Sequence, residues 1–260
     1  MDTDQRALPA AAPFWLSLGL VPAVLAAAAW GGWALILPPL YAWALFGALD
    51  VLIGQSHENP DTETPEARIF WHRAITLLWA PVQAGLIFGT LGWLGAGGGA
   101  HLAAAERLGL FFGIGIASGT VGIVYAHELI HRAGRLERWL GDILLAMTLY
   151  SHFRSEHLRV HHVHVGTPRD AVTARYNEGF HRYFRRVLRD CPASAFRAEA
   201  QLLARAGRPW RHRSNPFWRY LALQAGMLAL AAMLAGWQGL GLFVFQAFIA
   251  VWQLELTNYV

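Results

Sequence analysis

The stretch LGLFFGIGIASGTVGIVYAHELIHR, residues 108–132, decides the fold. Residues 108–125 carry no charged side chain. A helix needs ~20 mostly apolar residues to cross a bilayer core, and this run provides them. It leads straight into His127-Glu128-Leu129-Ile130-His131. Residues four apart lie on one helical face, so both imidazoles can turn toward one metal ion at the rim of the membrane.

Five further apolar segments lie around it, at about 13–30, 33–53, 74–94, 218–236 and 240–256. Gly31-Gly32, the GAGGGA run at 95–100 and Gly236–Gly239 read as tight turns between paired spans. Composition agrees. The 260 residues are 55% hydrophobic and 15% charged, with a mean hydropathy of +0.31, whereas an average soluble domain is about 25% charged. A single soluble domain and a disordered chain are both excluded. The first apolar run does not read as a signal peptide, because Asp2 and Asp4 precede it and a second span follows at once. The expected fold is an all-α integral membrane protein of about six transmembrane helices, with a His-rich helical cap on the cytoplasmic side. It forms one domain over 1–260.

All 21 basic residues are Arg, and seventeen of them fall between Arg132 and Arg219, against seven acidic residues there. In so apolar a chain this block reads as a positive-inside loop rather than a nucleic-acid face. It places 132–217, the acidic loop 54–73 and the N-terminus in the cytoplasm. Residues 136–150 are apolar but short and suit an interfacial or re-entrant helix, or a cytoplasmic extension packed on the bundle. Trp15, Trp30, Trp33, Trp71, Trp93 and Trp218 fall near span ends, as an aromatic belt does. Trp43, within the second span, faces either lipid or a channel.

Seven of the twelve His lie between 127 and 164. A second cluster, Glu156-His157-Leu158-Arg159-Val160-His161-His162, again pairs His residues four apart, 157 with 161. His162 falls ~100° further round a regular helix. The single Cys191 rules out a cysteine-based cluster, so any metal must be held by His and carboxylate. HExxH alone fits a zinc protease, with Glu128 as general base. Five imidazoles exceed the needs of one tetrahedral zinc and suit a two-metal site; imidazole with carboxylate suits iron. His152 and His164 beside the second cluster, and His57, His72, His101, His181 and His212, read as loop or packing residues.

AHELIHR at 126–132 and SEHLRVHH at 155–162 resemble the first two histidine boxes of the membrane-bound non-haem diiron hydroxylases, in particular the alkane 1-monooxygenases. These are related to the membrane fatty-acid desaturases and to xylene monooxygenase. DVLIG at 50–54 with Asn59-Pro60, VGTPRD at 165–170 and LTNYV at 256–260 extend the resemblance over most of the chain.

The resemblance implies that His127, His131, His157, His161 and His162 ligate a centre of two iron ions, with no catalytic residue apart from it. Glu128 and Glu156 would hydrogen-bond ligand imidazoles and fix their tautomers. Asp50 would support a ligand His, or cap its helix and pair with an Arg. The implied reaction is terminal hydroxylation of a medium- or long-chain alkane, drawn from the bilayer, with O2 as co-substrate. Electrons would come from NAD(P)H through a rubredoxin reductase and rubredoxin, in the inner membrane. Membrane lipids are further partners, and nucleic acid is not one.

The sequence departs from that pattern in two places. Val160 stands where the usual second box has Gly, and the sequence stops at Val260, before the later His motifs. A fragment with an incomplete ligand set is therefore expected. Competing expectations are a fatty-acyl desaturase or xylene-type hydroxylase on the same scaffold, an intramembrane zinc protease, and a membrane protein without enzymatic function.

Overall fold

The structure, a computed structural model, describes residues 11–53 and 66–259, with the side chains among them except those of residues 50, 53 and 66–69. The loop carrying His57, Asn59 and Pro60 and the side chain of Asp50 lie outside the described residues. Every regular element among those described is helical.

Four long apolar helices come first: α1 (Ala11–Trp30), α2 (Gly32–Leu49), α3 (Phe70–Gly95) and α4 (Ala104–His131). Three shorter elements follow: α5 (Arg135–Met147), α6 (residues 153–164) and α7 (Phe180–Arg205). The 44-residue α8 (Pro216–Tyr259) closes the chain. By length and composition, α1–α4 and α8 are five helices able to cross a membrane.

The sequence suggests two spans where α8 stands, and the backbone shows why. Ala235 (φ −144°, ψ 26°) and Gly236 (φ 58°, ψ −148°) are non-helical. Gly236 occupies a region of φ/ψ space that is essentially closed to residues with a Cβ. A straight helix of this length would run about 66 Å, and residues eight apart would be about 12 Å apart. Instead, a Cβ at Gly239 would sit 2.6 Å from the Ala231 carbonyl oxygen. Arm 216–234 therefore folds back on arm 237–259. Gly31 (φ 58°, ψ −154°) makes the same move between α1 and α2.

Helix α4 is the most buried of the long helices. Gly115 and Gly119, four apart, let the second arm of α8 approach its backbone. A Cβ at Gly115 would lie 2.7 Å from Ile249, and one at Gly119 would lie 2.6 Å from the Ala250 carbonyl oxygen. Small residues at this spacing replace the hydrophobic drive that helices lack within lipid.

At the far end of α4, α5–α7 gather over the bundle. Gly141 of α5 lies against Ala126 and Ile130. The Gln246 side chain of α8 donates to the Met147 carbonyl (2.8 Å), and Arg73 of α3 pairs with Glu137 of α5. With thirteen residues, α5 is too short to cross a bilayer. It buries Leu144, Leu145 and Met147 and leaves Leu136 and Trp139 exposed.

Candidate metal centre

The last turn of α4 presents His127 and His131 on one face, ring centroids 4.8 Å apart. Helix α6 brings His157 and His162 to them. One ligand atom from each of these four residues lies within 4.8 Å of all the others. The His157 Nε2 atom is the hub, 2.7 Å from His127 Nε2, 3.1 Å from His131 Nε2 and 2.8 Å from His162 Nε2.

The register of α6 explains why His162 joins. Residues 157–161 form a π-helical turn, in which hydrogen bonds run i→i+5 and residues five apart approach one face. A regular helix would favour the pair 157 and 161, as the sequence suggests. The π turn brings His162 to the cluster and turns His161 toward Asp170.

One neutral imidazole nitrogen either donates one proton or offers one lone pair. His157 Nε2 therefore cannot satisfy three neighbouring nitrogens, and lone pairs must face each other. A cation among them removes that conflict. Ligand distances of ~2.0–2.1 Å to a metal correspond to nitrogens roughly 3 Å apart, as in the three contacts of His157, while the set of four lies within 4.8 Å. His157 is buried, and burial, reinforced by the surrounding imidazoles, pushes it down to about 3. It is therefore neutral at physiological pH, the form a metal ligand needs. Phe153 stacks on its ring at 5.1 Å and shields one side.

His161 belongs to a second arrangement. Its Nδ1 lies 3.0 Å from Asp170 Oδ2. Asp170 is buried and is held by the Thr173 hydroxyl (2.6 Å) and the Val172 N–H (3.2 Å). A carboxylate on Nδ1 fixes the tautomer that leaves Nε2 free for a metal. Asp170 lies in the quoted 165–170 stretch, but the sequence alone assigns it no task.

Neither of the expected imidazole partners, Glu128 and Glu156, hydrogen-bonds an imidazole here. Neighbouring residues on a helix point ~100° apart, so Glu128 turns away from His127 and pairs with Arg132. Glu156 is buried, and its Oε1 has no hydrogen-bond partner. Burial, then Asp170 and Glu255, push its carboxyl up to about 8, so it is largely protonated at neutral pH.

Glu255 is a residue that the sequence reasoning passed over. It is fully buried on α8 and accepts hydrogen bonds from the Tyr150 hydroxyl (2.9 Å) and the Tyr183 hydroxyl (3.0 Å). Its sequence signal is a lone acid inside an apolar segment, where ionisable residues are expensive and rarely idle. Tyr150 in turn stacks on Phe153 at 6.0 Å, which links α7 and α8 to the His157 side of the cluster.

The other His residues are scattered. His101 lies 3.0 Å from the Ala28 carbonyl oxygen between α3 and α4, His72 meets Phe14, and His212 accepts from the Ser214 N–H. His152 packs on Tyr150, and burial pushes it down to about 4.

A family model described as fatty acid desaturase matches residues 101–260, and the chain belongs to that family. It is 38% identical over 235 residues to alkane 1-monooxygenase 1 of Pseudomonas aeruginosa, covering 84% of this chain and 58% of that one. Alkane 1-monooxygenase 2 of Alcanivorax borkumensis is 31% identical over 229 residues, covering 85% and 58%. The hydroxylase component of the xylene/toluene monooxygenase of Pseudomonas putida is 28% identical over 120 residues, covering 46% and 32%. The chain thus spans less than two thirds of the length of these alkane relatives.

Proposed function

We propose that this chain carries the iron-holding core of a membrane-bound alkane hydroxylase. The observation that supports this most is the convergence of the Nε2 atoms of His131, His157 and His162 with that of His127. These four residues would hold one iron, and His161, oriented by Asp170, would contribute to a second. A non-haem diiron centre held in this way would supply O2 activation for C–H hydroxylation. The overall reaction balances as alkane, O2, two electrons and two protons giving a 1-alkanol and water.

The chain's own residues have separable tasks. The buried His157 stays neutral and would keep its lone pair on the metal. Phe153 covers one side of the His157 ring and keeps water from that side, where it would limit wasteful side reactions of activated oxygen. A groove of ≈ 890 Å³ between α2 and α4, lined by Trp33, Ile36, Leu40, Trp43 and Phe112 among others, opens on the apolar flank of the bundle. It offers an alkyl chain an apolar surface to lie on within the bilayer. Exposed Arg182, Arg185 and Arg197 on α7 suit an acidic carrier such as rubredoxin, fed by an NAD(P)H-dependent reductase. On this reading the site faces the cytoplasm from the inner membrane.

The zinc-protease alternative is disfavoured by Glu128. The general base of that mechanism is tied to Arg132, and four imidazoles crowd a position that should hold three ligands and water. The test uses membranes containing the native protein, supplied with octane, O2, NADH, reductase and rubredoxin. The expected product is 1-octanol, lost when rubredoxin is omitted. Full turnover without the carrier would refute that dependence. Oxidation of xylene or an acyl chain with octane untouched would reassign the substrate.

A further inference from the structure

Between α7 and α8 the chain reads Arg208-Pro-Trp-Arg-His-Arg-Ser-Asn215, and α8 opens with Pro216-Phe-Trp218. This connection is built to one shape. Asn215 is buried. Its Nδ2 donates to the Trp210 carbonyl (2.7 Å), and its Oδ1 accepts from the Phe217 N–H (3.1 Å). The Trp218 indole donates to the Arg211 carbonyl (3.3 Å). Trp210 and Trp218 consequently stack, with centroids 6.4 Å apart and planes 22° apart. Phe196 of α7 props Trp210 from one side at 5.7 Å. Both indoles remain about half exposed, 51% and 46%.

Three Arg residues lie in the same connection as this platform. Arg208, Arg211 and Arg213 are exposed, and among the described residues none of them meets a carboxylate. The nearest polar side-chain partner is the Ser214 hydroxyl, 3.5 Å from Arg208. Other Arg residues of the region are committed: Arg154 and Arg219 to Asp142, Arg186 to Glu178 and Arg189 to Asp190.

The ligand must therefore be anionic, and the stacked indoles say where it resides. Trp side chains beside a span settle at the headgroup level of a bilayer. Guanidinium forks match phosphate oxygens, and the N-terminal end of α8 adds a favourable dipole. A soluble phosphate has no use for the indole platform, and a protein held by charge alone does not need it either.

We propose that residues 208–218 form a binding site for the headgroup of an anionic phospholipid, with its phosphate on Arg208, Arg211 and Arg213 and its glycerol region beside Trp210 and Trp218. The site requires only that α8 enters a membrane. It is independent of the iron centre, so either assignment can fail alone.

The test is native mass spectrometry of the full chain, released from detergent after incubation with equal phosphatidylglycerol and phosphatidylcholine. Preferential retention of phosphatidylglycerol is expected. Each Arg→Gln change at 208, 211 and 213 should lower that preference about fivefold. The control variant R182Q/R185Q/R197Q should keep it. Millimolar inorganic phosphate should not displace the lipid. Far-UV circular dichroism and elution volume check folding; should the R208Q variant fail to fold, R211Q and R213Q singly carry the test. Equal retention of the two lipids would overturn the proposal. So would an equal loss in the control variant, displacement by phosphate, or competition by an acidic protein that requires the same three Arg.

Discussion

The Nε2 atoms of His157 and His162 lie 2.8 Å apart although five residues separate them along the chain. The π-helical turn at 157–161 makes that contact possible, and it divides the second His cluster between the four-His group and Asp170. His162→Ala should therefore abolish high-affinity binding of one Co(II) at the four-His position. His161→Ala should leave that ion's absorption spectrum nearly unchanged. The spectra of the two variants in a Co(II) titration check this. Equal loss in both would mean that His161 belongs to the same position.

Under the proposed assignment, Asp170 would act on a metal through His161, whose Nδ1 it meets at 3.0 Å. Carboxylate partners of ligand imidazoles typically contribute 10–100-fold to metal affinity. Asp170→Ala should weaken occupancy of the position that uses His161 by about that factor. Asp170→Asn, which keeps an acceptor for Nδ1–H, should recover part of it. A competition titration with a chelator reads the difference. An Asn variant no better than Ala would remove the tautomer argument.

Much of this architecture is legible in the sequence, because its signals are local. The turns at Gly31 and Gly236 are visible as Gly between apolar runs, and the backbone there needs φ values near +58°. His127 and His131 are visible because a regular helix puts residues four apart on one face. The π register of α6 is not legible, since one inserted residue per turn leaves no mark in a hydrophobic pattern. Nor are the partners of Glu255, because Tyr150 is 105 residues away in the chain and Tyr183 is 72. Glu128 illustrates the opposite case. Its place in the motif invites a role at the metal, but the nearest cation, Arg132, lies one turn along the same helix.

The α4–α8 contact sets a steric limit. A Cβ at Gly119 would come within 2.6 Å of the Ala250 carbonyl oxygen and within 2.8 Å of the Gln253 Cβ, and the backbone oxygen cannot swing aside. Gly119→Val should destabilise the bundle by roughly 1–3 kcal/mol, as overpacking does. Gly226→Ala, where nothing stands within 4 Å, should be neutral or slightly stabilising. Thermal unfolding in detergent micelles ranks the two. A Gly119→Val protein as stable as wild type would mean that the helices are not in contact there.

A pH dependence follows from Glu178. Hydrogen bonds from Arg186 hold its carboxyl down at about 2, against an ordinary 4.5. A depressed folded-state pKa contributes stability that is present above the unfolded value and is lost as pH falls toward the folded one. The advantage of wild type over Glu178→Gln should therefore be full above about pH 5 and shrink steadily toward pH 2.5. Melting temperatures of both proteins across that range check the sign. A gap that widens on acidification would contradict it.

Under the proposed function this chain holds iron through imidazole nitrogen. The most direct measurement is metal analysis of the protein purified from iron-replete cells, with X-ray absorption at the iron edge. The account predicts at least one iron per chain in a nitrogen-rich shell, lost when His127, His131, His157 and His162 are all replaced by Ala. Tightly held zinc without iron, or iron that persists in the fourfold variant, would contradict it.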